Sequence, residues 1–191
     1  FHTPGLKIVY PSTAYDAKGL IKSAIRDDNP VLFEEHKGLY RAPALREVLP
    51  DEDYVVPLGK ARTVREGKDL TIVTYGAMVH KSVEAAETLS DEGVSVEVID
   101  LRTLLPMDEE AIIDSVKRTG KLLVVHEDTR TGGIAGEIAM RVSEQAFEWL
   151  DGPMLRVTAI DAPVPYSGSL EDYFLPQTDD VLKAARYLAG Y

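Results

Sequence analysis

From Asp69 to the end of the chain, short β-branched runs alternate with amphipathic stretches of helical period. That alternation admits few folds other than an α/β sheet with covering helices. Leu70 to Thr74 reads as a strand closed by Gly76, and Val79, Val83, Ala86 and Leu89 then mark one side of a helix ending at Gly93. Val94 to Leu101 alternates like a strand near a sheet edge. Pro106-Met107-Asp108 starts a second helix carrying Ile112, Ile113 and Val116, with Gly120 where a C-cap belongs. Leu122 to Val125 has the composition of a parallel strand buried on both faces. Ile134, Ile138, Val142 and Ala146 recur at i+4 steps, a strand follows from Leu155 to Ile160, and a last helix runs from Asp179 to Leu188. Right-handed crossovers then give a mostly parallel sheet with helices on both faces.

The first forty residues repeat the theme on a smaller scale. Leu6 to Val9 reads as a strand, and Thr13 and Asp16 stand at capping-box spacing. Ala17, Leu20, Ile21, Ala24 and Ile25 form one apolar stripe; Asp27-Asp28-Asn29-Pro30 stops the helix, and a second strand begins at Val31. This is a βαβ unit or its tail. Residues 41–68 carry Pro43, Pro50, Pro57 and Asp51-Glu52-Asp53 without a sustained period, so they read as an extended linker, partly packed in short strands, between a first unit, 1–40, and a second, 69–191.

Composition removes several classes of function. The chain has 191 residues, 45% hydrophobic, with no cysteine and a net charge of −11. Wholesale disorder, disulfides, thiolate-bound zinc and thiol nucleophiles are excluded, and the absence of cysteine fits an intracellular protein. No nucleic-acid surface is expected without clustered Lys and Arg. No membrane association is expected either, because the longest aliphatic run in the second half, Leu122 to Val125, is far too short to span. No secretory leader opens the segment.

Among candidate reactive groups, His126 ends a buried strand beside Glu127 and Asp128, and His36 follows Glu34-Glu35. Strand ends are where α/β sheets place ligands, although they also collect polar residues for structural reasons. His2 and His80 complete the histidines. Thr131-Gly132-Gly133-Ile134-Ala135-Gly136 opens a helix where amides could hold an anion, but it matches neither the dinucleotide fingerprint nor the P-loop, and close packing explains it as well. Asp51-Glu52-Asp53 and Asp108-Glu109-Glu110 read as solvated turns and helix N-termini. Residues 127–191 hold eleven Asp and Glu against five Lys and Arg, an acidic surface suited to a basic partner. These patterns name no reaction. A stand-alone α/β module that binds an anion or a partner protein is compatible with them.

Several segments taken together do point to a family: Pro4 to Thr13, Tyr15 to Leu20, Ala24 to Phe33, Glu35-His36-Lys37 with Leu39-Tyr40-Arg41, Val98 to Thr103 and Thr119-Gly120-Lys121. Over nearly its whole length the chain resembles the β subunit of the thiamine-diphosphate-dependent decarboxylase component of 2-oxo acid dehydrogenase complexes, of branched-chain or pyruvate type. The resemblance implies the C-terminal portion only. Residues 1–40 would end a pyrimidine-binding domain, and 69–191 would form a transketolase C-terminal-type domain, three-layer α/β/α, with one antiparallel strand. It implies oxidative decarboxylation of a 2-oxo acid with acyl transfer to lipoyl groups, in the cytoplasm of a bacterium or archaeon or in the mitochondrial matrix. A transketolase or deoxyxylulose-phosphate synthase relative shares this fold.

The residues that activate the aminopyrimidine lie in a part of the family not represented here, so no catalytic or cofactor-binding residue carries over, and the segment alone is expected to be inactive. Thiamine diphosphate and magnesium would belong to the intact enzyme. A potassium site is implied at Ala24, Ile25, Asp27 and Asn29, where carbonyl oxygens collect at a helix C-terminus. The implied partners are the α subunit, a second β subunit, and the basic subunit-binding domain of the acyltransferase core, which would meet the acidic last third including Tyr191.

Overall fold

Thr13 starts the first helix in the way its spacing to Asp16 requires, its hydroxyl accepting from the Asp16 amide at 3.1 Å. In the computed structural model, which describes residues 1–191, this helix α1 (Ala14–Ile25) connects β1 (Lys7–Val9) to β2 (Val31–Phe33). The two strands pair in parallel, Ile8 opposite Leu32, completing a βαβ unit. Its sheet has a third member from much later in the chain: β6 (Thr103–Leu105) pairs antiparallel with β1.

The expected apolar stripe on α1 is only partly used. Leu20 is fully buried against Val9 and Val56, whereas Ile21 is 40% and Ile25 77% exposed. The covering layer, where present, is residues 47–56 lying along the other side of the helix. Glu47 accepts from the Tyr15 amide at 2.6 Å, Tyr54 stacks on Tyr15 at 4.3 Å, and Ser23 donates to the Val56 carbonyl at 2.5 Å. Gly19 permits this approach, since a β-carbon there would sit 2.4 Å from Val56 Cγ2.

The stretch read as an extended linker with short strands contains one strand and a helical turn. It follows the short helix α2 (Lys37–Tyr40), has a 3-10 turn at Pro43–Leu45, and contributes β3 (Arg62–Arg65). That strand lies antiparallel on β5 (Val96–Asp100) and forms the edge of a five-stranded sheet. With β4 (Leu70–Thr74), β7 (Leu122–Thr129) and β8 (Leu155–Ala159), the order is β3-β5-β4-β7-β8, all parallel except β3. The Val94 to Leu101 strand therefore sits one place in from the edge, and all five β5 residues are buried. Its Glu97 is tolerated there because Arg118 reaches it with bonds of 2.8 and 2.9 Å.

Helices α3 (Met78–Asp91) and α7 (Thr178–Ala189) cover one face of this sheet, and α4 (Glu109–Thr119) and α5 (Ala135–Ala146) the other. Helix α4 ends at Gly120, whose φ of 68° is the left-handed C-cap expected from sequence. Its N-cap corrects one expectation. Asp108 is buried, not solvated, accepting from the amides of Ala61 (2.9 Å) and Ala111 (3.4 Å), so it fastens the linker to the helix. The short helix α6 (Gly168–Phe174) precedes α7. Ile8 and Leu104 of the small sheet pack into the α4/α5 core, so the two sheets share apolar packing. No helix is long and apolar enough to cross a membrane.

Candidate functional site

Two polar clusters stand where the small sheet meets the large one. The first is built around Asp16 and Asp100, both fully buried. Asp16 sits in the first turn of α1 because Thr13 caps that turn. Arg102 reaches it from beyond β5, donating to Oδ1 at 3.0 Å. The same guanidinium donates to the Lys60 and Ala61 carbonyls at 2.9–3.1 Å, and Arg62 approaches Asp16 at 3.5 Å. Arg102 has a φ of 54°, a left-handed backbone that turns the chain from β5 into β6. Asp100 closes that turn by accepting from the Arg102 amide at 3.0 Å, and Ser12 donates to its other oxygen at 2.5 Å. Burial, opposed by these hydrogen bonds, pushes the Asp100 carboxyl up to about 7. His80 donates from Nε2 to the Ser12 carbonyl at 2.8 Å. These contacts join α1 to β5 and β6, and Ser12 and Thr13 also line a cavity of about 480 Å³ whose far wall includes Glu35, His36 and Tyr40.

The second cluster lies at the carboxyl ends of β4 and β7, where the winding of the sheet reverses and a crevice is expected. His126 near the end of β7 is fully buried, with its ring parallel to Tyr75 at 6.4 Å. Tyr10, at the end of β1, tilts against Tyr75 at 5.4 Å, and burial raises both phenol pKa values. His36 follows β2 and lies 3.3 Å from Glu127, bridging the two sheets. The structure thus brings His36 and His126 to one region, each tied to a different partner. His126 donates from Nδ1 to the Asp128 carbonyl at 3.1 Å. Burial, the largest influence, lowers its pKa.

The residues Ala24, Ile25, Asp27 and Asn29 are gathered at the end of α1. Ala24 accepts from the Asp27 amide at 3.3 Å, while the Ile25 and Asn29 carbonyls accept no backbone bond. The Asp27 carboxylate is engaged already, by the Lys7 ammonium and by the Asn29 amide and side-chain NH₂ at 2.9 Å. Lys7 and Asn29 hold its pKa down at about 2. Asp27 thereby folds the turn on which the Ile25 and Asn29 carbonyls lie. Tyr191 is 59% exposed and shares a hydroxyl–hydroxyl bond of 2.8 Å with Tyr187. No group of three or more His, Asp or Glu side chains is arranged to hold a metal. Sequence reasoning missed the Asp16–Arg102–Asp100 cluster. Its only signal was acid and base at the end of an apolar run, Val98-Ile99-Asp100-Leu101-Arg102.

Residues 59–181 match the transketolase C-terminal domain family, and residues 1–43 match the transketolase pyrimidine-binding domain family. The 2-oxoisovalerate dehydrogenase subunit beta of Bacillus subtilis is 50% identical over 189 residues, 98% of this chain and 57% of that protein. The pyruvate dehydrogenase E1 component subunit beta of the same organism is 50% identical over 96% of this chain and 55% of its own length. The mitochondrial pyruvate dehydrogenase E1 component subunit beta of Dictyostelium discoideum is 47% identical over 96% of this chain and 52% of its own. The chain thus spans about half the length of the curated relatives it matches. A split-gene transketolase solved as an inactive β4 tetramer superposes with a TM-score of 0.80 at 26% identity, over 99% of this chain and 59% of that one.

Proposed function

The chain belongs to the transketolase C-terminal domain family, and from that premise we propose that it is the C-terminal portion of a 2-oxo acid dehydrogenase β subunit. The observation that carries this reading is identity near 50% to such β subunits, sustained over 96–98% of the chain. The substrate class is a 2-oxo acid, branched-chain or pyruvate, and the setting is the cytoplasm or mitochondrial matrix where such complexes work. Thiamine diphosphate with magnesium would be bound by the assembled enzyme and supply the decarboxylation chemistry; this chain alone would be inactive.

The division of labour proposed for the chain is structural. Residues 1–40 belong to a pyrimidine-binding domain, 41–68 connect, and 69–191 form the C-terminal domain, with the Asp16–Arg102 cluster and the His36–Glu127 pair fixing their relative placement. Exposure of Ile21, Ile25 and Leu32 supports a further layer over the small sheet, supplied by the rest of such a domain or by a partner subunit. The α subunit and a second β subunit are the proposed partners. The acidic last third, with Tyr191 at its end, would dock the basic subunit-binding domain of the acyltransferase core. Potassium would sit on the carbonyls of Ala24, Ile25 and Asn29, with Asp27 holding the turn.

Sedimentation of the chain with an α subunit and, separately, with the basic domain tests this reading. Binding of the basic domain should weaken steeply with added salt. An affinity indifferent to salt, or no association with either partner, would count against the assignment.

A further inference from the structure

The glycine turn ahead of α5 is not used by the function proposed above, yet it holds unspent hydrogen-bonding capacity. The amides of Gly132, Gly133, Ile134 and Ala135 donate no hydrogen bond, whereas the preceding Thr131 is anchored to Asp161 by its amide (2.8 Å) and hydroxyl (2.7 Å). Four donors at the start of a 12-residue helix make an electropositive nest. The His126 ring is pressed against this turn: a β-carbon on Gly133 would lie 2.6 Å from Cε1 and 2.9 Å from Nε2. Because Nδ1 faces a carbonyl, it carries the ring proton and leaves Nε2 as a bare acceptor, buried and without a partner. Beside the turn opens a cleft of about 510 Å³, with Arg130 and Arg156 in its wall, Ala135 and Gly136 at the helix start, and Val124 and Met154 as apolar lining.

A ligand that satisfies both halves must accept from amides and arginines and donate to an imidazole nitrogen. We propose that this turn binds the phosphate group of a small molecule, its oxygens on the amides of Gly132 to Ala135, its hydroxyl donating to His126 Nε2, and Arg130 and Arg156 across the cleft. A monohydrogen phosphate has the required O–H, whereas sulfate, equal in shape and charge, has none. The groups about the ring are Asp128 on β7, Tyr75 after β4 and Arg156 on β8, while Glu127 is paired with His36 and Asp161 with Thr131. Asp128 favours the charged ring, but burial and Arg156 oppose it, leaving the empty site neutral.

The test is titration of the 191-residue chain with sodium phosphate and with sodium sulfate, followed by calorimetry and by ¹⁵N amide shifts. At about pH 8, phosphate should bind about tenfold more tightly than sulfate, the loss expected when one buried acceptor goes unpaired. As the pH is lowered and the ring takes up a proton, Nε2 becomes a donor and the gap should close. The shifts should centre on Gly132 to Ala135, and His126→Asn should abolish the preference for phosphate. Should that variant not fold, the wild-type comparison of the two anions still decides. Equal affinity at about pH 8, shifts elsewhere, or no saturation by about 20 mM would overturn the proposal. Phenyl phosphate binding more tightly than inorganic phosphate would assign the site to a phosphate ester using the apolar lining; equal or weaker binding would assign it to free phosphate.

Discussion

Replacing Arg102 by methionine removes the charge that compensates Asp16 while keeping the apolar stem of the side chain. Asp16 is fully buried, and the Arg102 side chain is 11% exposed, so water does not readily take the guanidinium's place. Breaking a buried pair from one side costs about 3–5 kcal/mol, most of it the stranded charge. Here Asp16 keeps Thr13 at 3.1 Å and Arg62 at 3.5 Å, and the Lys60 carbonyl released by the substitution lies on an exposed residue. Those features place the expected loss at the lower end, about 3 kcal/mol. With a urea m-value of about 2–3 kcal/mol/M, the unfolding midpoint should fall by about 1–1.5 M. Arg102→Lys should cost about half as much, because an ammonium can reach Asp16 but cannot also span the Lys60 and Ala61 carbonyls. Combining Arg102→Met with Asp16→Asn should cost less than the sum of the single changes by about 1–3 kcal/mol. A loss below about 1 kcal/mol for Arg102→Met, or strict additivity in the double variant, would refute the claim that this pair fastens the two sheets.

Three further outcomes follow from the same contacts. The folded Asp100 carboxyl titrates at about 7 and the unfolded one near 3.9, so the native state holds the extra proton between them and stability falls as pH rises through that window. Asp100→Asn should shrink that fall by roughly 2–3 kcal/mol between about pH 5 and pH 8 in urea titrations; parallel curves would contradict it. Lys7→Met should raise the Asp27 pKa from about 2 toward the ordinary carboxylate range in a ¹³C carboxyl titration, and an unmoved value would dismiss the ion pair. Gly19→Ala should destabilise by about 1–3 kcal/mol by forcing Val56 away from α1, and a neutral or stabilising effect on thermal unfolding would show that residues 47–56 do not pack there.

What the residue pattern revealed is what local chemistry dictates. Helix α4 was readable at both ends, because Asp108 and Gly120 cap it, and β7 was readable because parallel strands buried on both faces need continuous apolar runs. Strand β6 was not, and β3 was expected only as an unplaced short strand in the linker. Each is three or four residues long, and each exists because a distant strand offers it a ladder, Arg62 opposite Asp100 and Leu105 opposite Ile8. Periodicity likewise put Ile21 and Ile25 on one stripe with Leu20 but could not say which part of the stripe finds a partner. The candidate sites divide the same way. His126 and the Thr131 to Gly136 turn were each visible in the sequence; that Nε2 lies against Gly133 is a tertiary fact. Arg102 was hidden more deeply, since nothing local marks a left-handed arginine that serves a helix 86 residues earlier.

On the function proposed above, these 191 residues do the work of the matching half of a 2-oxo acid dehydrogenase β subunit. The most direct test grafts them in place of the matching 189-residue stretch of the Bacillus subtilis 2-oxoisovalerate dehydrogenase subunit beta. The chimera is then produced with its α subunit, and thiamine-diphosphate-dependent decarboxylation of 2-oxoisovalerate and of pyruvate is measured. The expected result is an assembled α/β enzyme that turns over at least one of the two 2-oxo acids, while the 191-residue chain with the same α subunit does not. A chimera that folds but neither assembles with the α subunit nor turns over would contradict it.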